Sequence, residues 1–524
     1  MRSHDVIVIG SGSAGAVIAR RLVEADLDVL VLEAGGPDTN PDIHVPGSVH
    51  LLWHGAEDWN YFTAPQTHCA DRELHWPRGK VLGGSSALNG MIYVRGSRSD
   101  YDTWAHLGNR GWSYEDVLPL FKRSEDFSRG ADAYHGVGGP LRVLADYDPH
   151  PTIASAVAAA QELGIPYNDD CNGERQEGVG FVALNVREGR RDSTARAFLG
   201  PVADRPNLTV RTGARVLRLT FSGERCTGVE VATAGGGTET IGAEHEVVVC
   251  AGTIESPRLL MLSGIGPQDE LARHGIDVRV DAPGVGQNLH DHILVPVVFS
   301  ADKPVPPTID GLTALHGQLF WRSRSDLAGP DIQPLFFHVP IYPDGYIGPE
   351  SGFTLQGGIV RPASRGQITL TSADPTAPLH LDPATLSRQV DLDTLTFAVQ
   401  LCREIGRQPA LAEWKPTEVL PGPDVRDDAA LRQYIRENVI TYHHQVGTCR
   451  MGVDDRAVVD PELRVHGVEG LRVADASIMP QVTTGNTHAP TVMIGERASD
   501  LIITALGEAR PAAALSLNTE EAAL

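Results

Sequence analysis

The stretch from Asp5 to Gly15, DVIVIGSGSAG, constrains this chain more than any other. A short β-branched run ending at glycine is the pattern of a strand buried on both faces of a parallel sheet. The next residues place Val17, Ile18, Leu22 and Val23 at helical spacing, and a second apolar run from Asp28 ends in an acid, Glu33. Strand, Gly-x-Gly-x-x-Gly turn, helix, strand and acid together are the mechanics of dinucleotide binding. Gly10, Gly12 and Gly15 supply the tight turn, the close approach of backbone to a pyrophosphate and the close packing of helix on strand, while the helix N-terminus favours phosphate charge. By itself the glycine pattern marks only a tight strand-to-helix turn. Ser13 and Ala14 complete the phosphate-facing turn. Glu33, with Ala34 beside it, is placed to accept from a ribose hydroxyl, which favours FAD or NAD over NADP.

At 524 residues the chain outgrows one core and predicts two or more domains. Its net charge of -23 repels nucleic acid and anionic membranes, so neither is an expected partner. Six cysteines, widely scattered and without a CxxC pair, suggest neither a disulfide framework nor a zinc cluster, and no metal is expected. Only MRSH precedes the first apolar run and no run of 18 apolar residues occurs. The expectation is a cytoplasmic protein without a transmembrane segment.

A second glycine cluster, RGKVLGGSSALNGM from Arg78 to Met91, lies far beyond the first unit. Backbone amides of Gly83, Gly84 and Ser85, with Ser86 and Asn89, offer a second concave donor surface for phosphate or the edge of a flavin. A nicotinamide site does not require one. Here the chain resembles the glucose-methanol-choline (GMC) oxidoreductases, whose first signature is similar to residues 78–96 and whose second is similar to GTIESPRLLMLSGIG at 252–266. GVGQNLHDH at 284–292 and the C-terminal motifs follow in the family's order, and the likeness extends from residue 5 to about 505. Choline oxidase or dehydrogenase and aryl-alcohol or hydroxymethylfurfural oxidases form the branch it resembles.

That resemblance implies FAD, held by the two glycine clusters, with Arg78, Gly90 and Met91 in the second, Val216 near the adenine, Ala251 and Gly252 beside the dinucleotide, and Asp475 and Ala476 at the ribityl and pyrophosphate. Where choline oxidases carry a histidine bonded covalently to FAD, this chain has Leu88, so the expectation is dissociable FAD. The implied fold is α/β, α+β overall. A Rossmann-like FAD-binding domain (1–147, 184–288 and 443–506) is joined by a discontinuous substrate domain (148–183 and 289–442) on an antiparallel sheet flanked by helices. Residues 507–524 are expected to form a flexible tail. Val210 to Leu219 reads as one strand, and Gly235 to Gly237 as an exposed hairpin turn.

Aromatic residues between 293 and 440, among them Phe320, Phe336, Phe337, Tyr342 and Tyr346, suit either core packing or a pocket for an aryl or quaternary-ammonium group. His290 and His292 would share a face of a strand, but no third ligand has compatible spacing for a metal. Oxidising an alcohol by hydride loss needs a base near the flavin N5, and neutral histidine suits that task. In YHHQVGTCRMG at 442–452 the family register selects His444 as that base. In GNTHAPT at 485–491 it points to His488 as its partner, where many choline-type relatives have asparagine. Pro490 fits the first position of an apolar helix, and the amides there, Thr491 included, would face the N1 to C2=O edge of reduced flavin. The expected function is FAD-dependent oxidation of a small-molecule alcohol to an aldehyde or ketone, with oxygen, a quinone or an electron-transfer protein as acceptor. The alternative is a hydroxynitrile lyase-like enzyme that keeps FAD without net redox. Neither the alcohol nor the oligomeric state is legible.

Overall fold

The computed structural model describes residues 3–233 and 236–509. The opening stretch folds as its pattern requires, with strand β1 (Ser3–Ile9), helix α1 (Gly15–Glu24) and strand β2 (Val29–Leu32). Val6, Ile7, Val8 and all four β2 residues are almost wholly buried, which is why neither strand alternates apolar with polar. Gly10 turns at φ +96°, and a Cβ there would stand 2.4 Å from the Cys250 carbonyl oxygen. At Gly15 a Cβ would stand 2.0 Å from the Gly10 carbonyl oxygen, so helix and strand approach only because both residues are glycine.

Four further strands complete most of this sheet: β3 (Leu208–Arg211), β4 (Val216–Ser222), β5 (Arg225–Ala232) and β6 (Thr238–Val249). The order is β3-β2-β1-β6-β5-β4, and Leu471–Val473 adds a parallel partner to β6. The parallel part, β3, β2, β1 and the end of β6, carries the Gly-x-Gly-x-x-Gly turn; β5 and β4 continue it as antiparallel ribbons. Val210 to Leu219 is therefore two strands and not one. Gly213 at φ +66° breaks the run, sending β3 to β2 and β4 to β5. The β5–β6 pair closes as a hairpin with Ala232 opposite Thr238, while Gly235 of its turn lies outside the described residues. Helix α2 (Gly252–Leu262) follows β6 directly.

The second sheet is antiparallel and contains β7 (Ile293–Ala301), β8 (Leu315–Phe320), β9 (Leu335–Phe337), β10 (Gly352–Ile359) and, beyond helix α3 (Gln389–Ile405), β11 (Pro416–Leu420). Its order is β11-β7-β10-β9-β8, with Gly178–Phe181 on the far edge of β8 and Ile440–Thr441 paired to β7. The period of two divides its faces. Val295, Val297, Phe336 and Leu355 pack into the cluster with Leu395 and Val399 of α3, whereas Leu294, Leu315 and Leu335 join a separate apolar cluster. A Cβ at Gly357 would stand 2.9 Å from the Val399 amide nitrogen, so glycine there lets α3 settle on the sheet.

The last helix, α4 (His488–Ala509), lies against α1, and a Cβ at Gly495 would be 2.8 Å from the Ala14 carbonyl oxygen. Glu496, fully buried at that contact, is held by Arg21, Arg123 and Ser124. The helix starts at His488, which places Pro490 third and not first. Its missing N–H still costs no helical bond, because the amides of the first turn have no helical acceptor. The helix runs past Leu506 to Ala509, and the rest of the expected tail, 510–524, lies outside the described residues. Among the described residues no helix is long and apolar enough to cross a membrane.

Candidate active site

A cavity of about 1290 Å³ runs from the C-terminal ends of β1 and β2 to the inner face of the second sheet. At its dinucleotide end the wall is made by Gly10, Gly12, Ser13 and Ala14, by Glu33 and Ala34, and by Val216, Ala251, Gly252, Asp475 and Ala476. Glu33 is buried and accepts from the Ser11 amide at 3.0 Å, the Ser11 hydroxyl at 2.7 Å and the Gly35 amide at 2.8 Å. Burial raises its pKa while those donors pull it back, and Oε1, with one donor, keeps a lone pair for a ribose hydroxyl. Asp475 ties its own turn to the start of α2 by accepting from the Gly252 amide at 2.8 Å, the Ser256 hydroxyl at 2.6 Å and the Ser477 amide at 2.8 Å.

The second glycine cluster forms the neighbouring wall with Arg78, Gly84, Ser85, Leu88, Asn89, Gly90 and Met91. Ser11 joins the two turns, because its hydroxyl accepts from the Gly83 amide at 3.1 Å. Behind them Arg191, 1% exposed, donates to the Asn89 carbonyl at 2.6 Å, the Asn89 side-chain oxygen at 2.8 Å and the Ile43 carbonyl at 2.7 Å. Among the described residues no carboxylate pairs with it, and burial pushes its pKa down to about 9. Arg78 donates to the His443 carbonyl at 2.8 Å, which anchors the histidine loop to the glycine cluster. A cofactor with two phosphates and a ribose fits these residues. A Cβ at Gly12 would meet nothing nearer than 3.9 Å, and one at Gly90 or Gly252 nothing within 4 Å, so all three present open backbone.

At the other end His444 is 8% exposed and stacks on Tyr442, ring centres 4.6 Å apart. Asp291 accepts from the His444 amide at 2.7 Å, from the Gln445 side chain at 2.9 Å and from Thr441, and so fixes the loop. Burial pushes the Asp291 carboxyl up to about 7 against the pull of those donors. The side-chain amide of Gln333 donates to Asn486 Oδ1 at 3.0 Å, which turns Asn486 Nδ2 toward His444 Nε2 at 3.1 Å. An amide nitrogen only donates, so Nε2 carries the lone pair and the His444 proton sits on Nδ1. That proton is donated to Nδ1 of His292, 3.0 Å away. Burial, with His292, His443 and Arg78 nearby, holds His444 well below the usual histidine range, and burial takes His292 down to about 3. Both rings are neutral near pH 7.

Models of the GMC oxidoreductase family match residues 4–294 and 362–495. The chain belongs to this family. It is 42% identical to an oxygen-dependent choline dehydrogenase of Brucella anthropi over 95% of both chains. It is 43% identical to an uncharacterised GMC-type oxidoreductase of Mycobacterium bovis over 95% of this chain and 99% of that one. The crystal structure of pyridoxine 4-oxidase from Mesorbium loti superimposes with a TM-score of 0.91 at 38% identity, covering 95% of this chain and 98% of the other. The protein is a GMC-type FAD-dependent alcohol oxidoreductase.

Within that cavity the expected His444/His488 pair does not form. His488 Nδ1 bonds the Ser13 hydroxyl at 2.9 Å, at the first turn of α4 and the phosphate-facing loop, and Asn486 stands opposite the base. The cause is register: Asn486 precedes the helix, whereas His488 begins it and is carried round toward α1. Burial pushes His488 down to about 4. His488 and Thr491 line the cavity, whereas Gly15, Gly83 and Pro490 lie behind its wall. His290 and His292 are not on a strand but in the loop before β7, and they part ways, His290 accepting from the Val482 amide at 2.9 Å and His292 meeting His444. Ser11, Arg191, Asp291, His292, Tyr442 and Asn486 are the site residues that sequence reasoning passed over. The HDH segment drew notice for metal binding, and Ser11, Tyr442 and Asn486 lie inside motifs singled out for other residues.

Proposed function

We propose that His444 is the general base of alcohol oxidation, with Asn486 and not His488 as its partner at the alcohol oxygen. The observation that carries this reading is that His444 and Asn486 both line the cavity, with the Nε2 lone pair held by the Asn486 amide 3.1 Å away. Bound FAD would supply the two-electron acceptor for the hydride that leaves the alcohol carbon. On binding, the alcohol hydroxyl would replace the Asn486 amide on His444 Nε2, which takes the hydroxyl proton, while the released Asn486 Nδ2–H donates to the alcohol oxygen. As His444 becomes cationic its Nδ1–H stays on His292 Nδ1, a neutral acceptor that stabilises the new charge. The amides at the start of α4 add positive potential at the cavity wall, where negative charge develops on reduction. The division into FAD-binding parts (1–147, 184–288 and 443–506) and substrate parts (148–183 and 289–442) belongs to the same reading, and so does reoxidation by oxygen, a quinone or an electron-transfer protein. The relatives' activities, choline dehydrogenase and pyridoxine 4-oxidase, support oxidation of a CH–OH group.

Anaerobic addition of alcohols to the flavoprotein tests this reading, with bleaching of the flavin as the expected result. Cyanide release from a cyanohydrin without bleaching would replace it with a lyase. Leu88, buried in the cavity wall, has no atom that can bond the flavin covalently. Acid precipitation is therefore expected to leave free FAD in the supernatant; flavin that pellets with the chain would contradict this.

A further inference from the structure

We propose that the alcohol taken at this site is uncharged and apolar, an aryl or aliphatic alcohol with an extended hydrocarbon body and not a quaternary-ammonium alcohol. The proposal deepens the reading of His444 as base and rests on it. From Tyr442, stacked on that base, one apolar cluster continues along the wall through Ile92, Leu294, Leu315, Leu335 and Phe337. The sheet's period of two turns these side chains inward while their neighbours pack under α3.

The carboxylates of the cavity are elsewhere. Glu33, Glu255 and Asp475 stand at the dinucleotide end and are engaged, Glu33 by Ser11 and Gly35, Glu255 by Tyr61 and Arg258, and Asp475 by Gly252, Ser256 and Ser477. Glu73, Asp344 and Glu437 line the cavity as exposed residues, and Arg72 beside them feels the charge of Asp344 and Glu437. Asp291, close to the base, does not line the cavity and spends its oxygens on Thr441, His444 and Gln445. A permanent cation brought to His444 would thus lose its water with no anion to replace it.

Two of the cavity's aromatic rings already give one face to a neighbour, Tyr442 to His444 at 4.6 Å and Tyr342 to Tyr346 at 5.2 Å. At the rim Phe62 lines the cavity with its ring partly exposed, an apolar surface held in water beside the charged Arg72, Glu73, Asp344 and Glu437.

The test uses the wild-type flavoprotein under anaerobic conditions with choline, its uncharged isostere 3,3-dimethylbutan-1-ol, benzyl alcohol and the straight-chain series from ethanol to 1-octanol. Flavin reduction by the isostere is expected to exceed that by choline at least about tenfold in kcat/KM, because only choline must shed a charged hydration shell. Along the straight-chain series kcat/KM is expected to rise by up to about fourfold per methylene. Choline equal to or better than its isostere, or a flat or falling series, overturns the proposal and leaves alcohol oxidation intact. Bleaching by none of these alcohols, in protein that dithionite still reduces, overturns the parent reading as well. Phe337→Ala is expected to flatten the chain-length series without loss of bound FAD; an unaltered slope in that fully flavinated variant removes the wall from specificity.

Discussion

The two ends of the cavity are built in opposite ways. The end proposed for the dinucleotide comes largely from two short stretches, 10–14 and 84–91, which present backbone and missing side chains to the cavity. The alcohol end gathers His292, Gln333, His444 and Asn486 from four distant places and works through side-chain nitrogens. A site of backbone tolerates no added atom but is legible from its glycines. A site of side chains is sensitive to register, and a shift of two residues changes which group faces the base.

The sharpest way to break the first half of this contrast is Gly15→Val. A Cβ at that position would stand 2.0 Å from the Gly10 carbonyl oxygen and 3.2 Å from the Cys250 Cβ, so α1 must move away from the turn. The expected outcome is protein that retains little or no FAD, read from the ratio of flavin to protein absorbance. Near-normal flavin content would show that the turn has slack the geometry denies.

At the other end His444→Ala is expected to slow anaerobic flavin reduction by about 10²-fold or more while FAD stays bound. Stopped-flow bleaching checks it, and unchanged reduction in fully flavinated protein would remove His444 from the chemistry. A smaller effect separates the two candidates for its partner. Asn486→Ala removes the donor on Nε2 and frees the tautomer, and is expected to cost about tenfold in reduction rate, the worth of one hydrogen bond to a group that gains charge. His488→Asn leaves the base and its partner in place and is expected to change reduction less than Asn486→Ala does. The reverse ranking would restore the histidine pair.

These differences explain what could be seen from residue order. The strand-turn-helix opening and the second glycine cluster were legible because each is a local device whose spacing follows from backbone sterics, as Gly10 and Gly15 show. The separation of sheet faces was only half legible, since β7 is apolar on both sides and its alternation appears only once α3 covers one face. Asn486 was hidden because its role depends on where α4 starts, and helix boundaries are the least legible feature of a sequence. Arg191 and Asp291 act through buried carbonyls and amides across 100 or more residues, which no local pattern announces.

The smallest expected effect is that of pH, which also falls on the two ends unequally. His444 is held well below its ordinary value, His292 at about 3 and His488 at about 4, each chiefly by burial. A base whose folded pKa is depressed is already neutral at pH 8 and stays neutral as pH falls through 6.5, so flavin reduction should be level across that range and decline only at more acidic values. An acid limb centred near the ordinary histidine value of about 6.5 would show that the ring is hydrated when the enzyme works. The same depression carries a stability consequence of fixed sign. Above the unfolded value of about 6.5 neither folded nor unfolded chain holds the proton and stability is unaffected; below it the unfolded chain binds protons that the folded chain refuses, so stability falls until pH reaches the folded values of about 4 and 3. At pH 5 each such ring costs up to about 2 kcal/mol. Thermal melting from pH 8 to 5 should therefore show Tm falling below about pH 6.5, with a shallower fall in His292→Asn, whose amide does not titrate. An equal slope in that variant would mean that His292 takes up its proton while still buried behind the base.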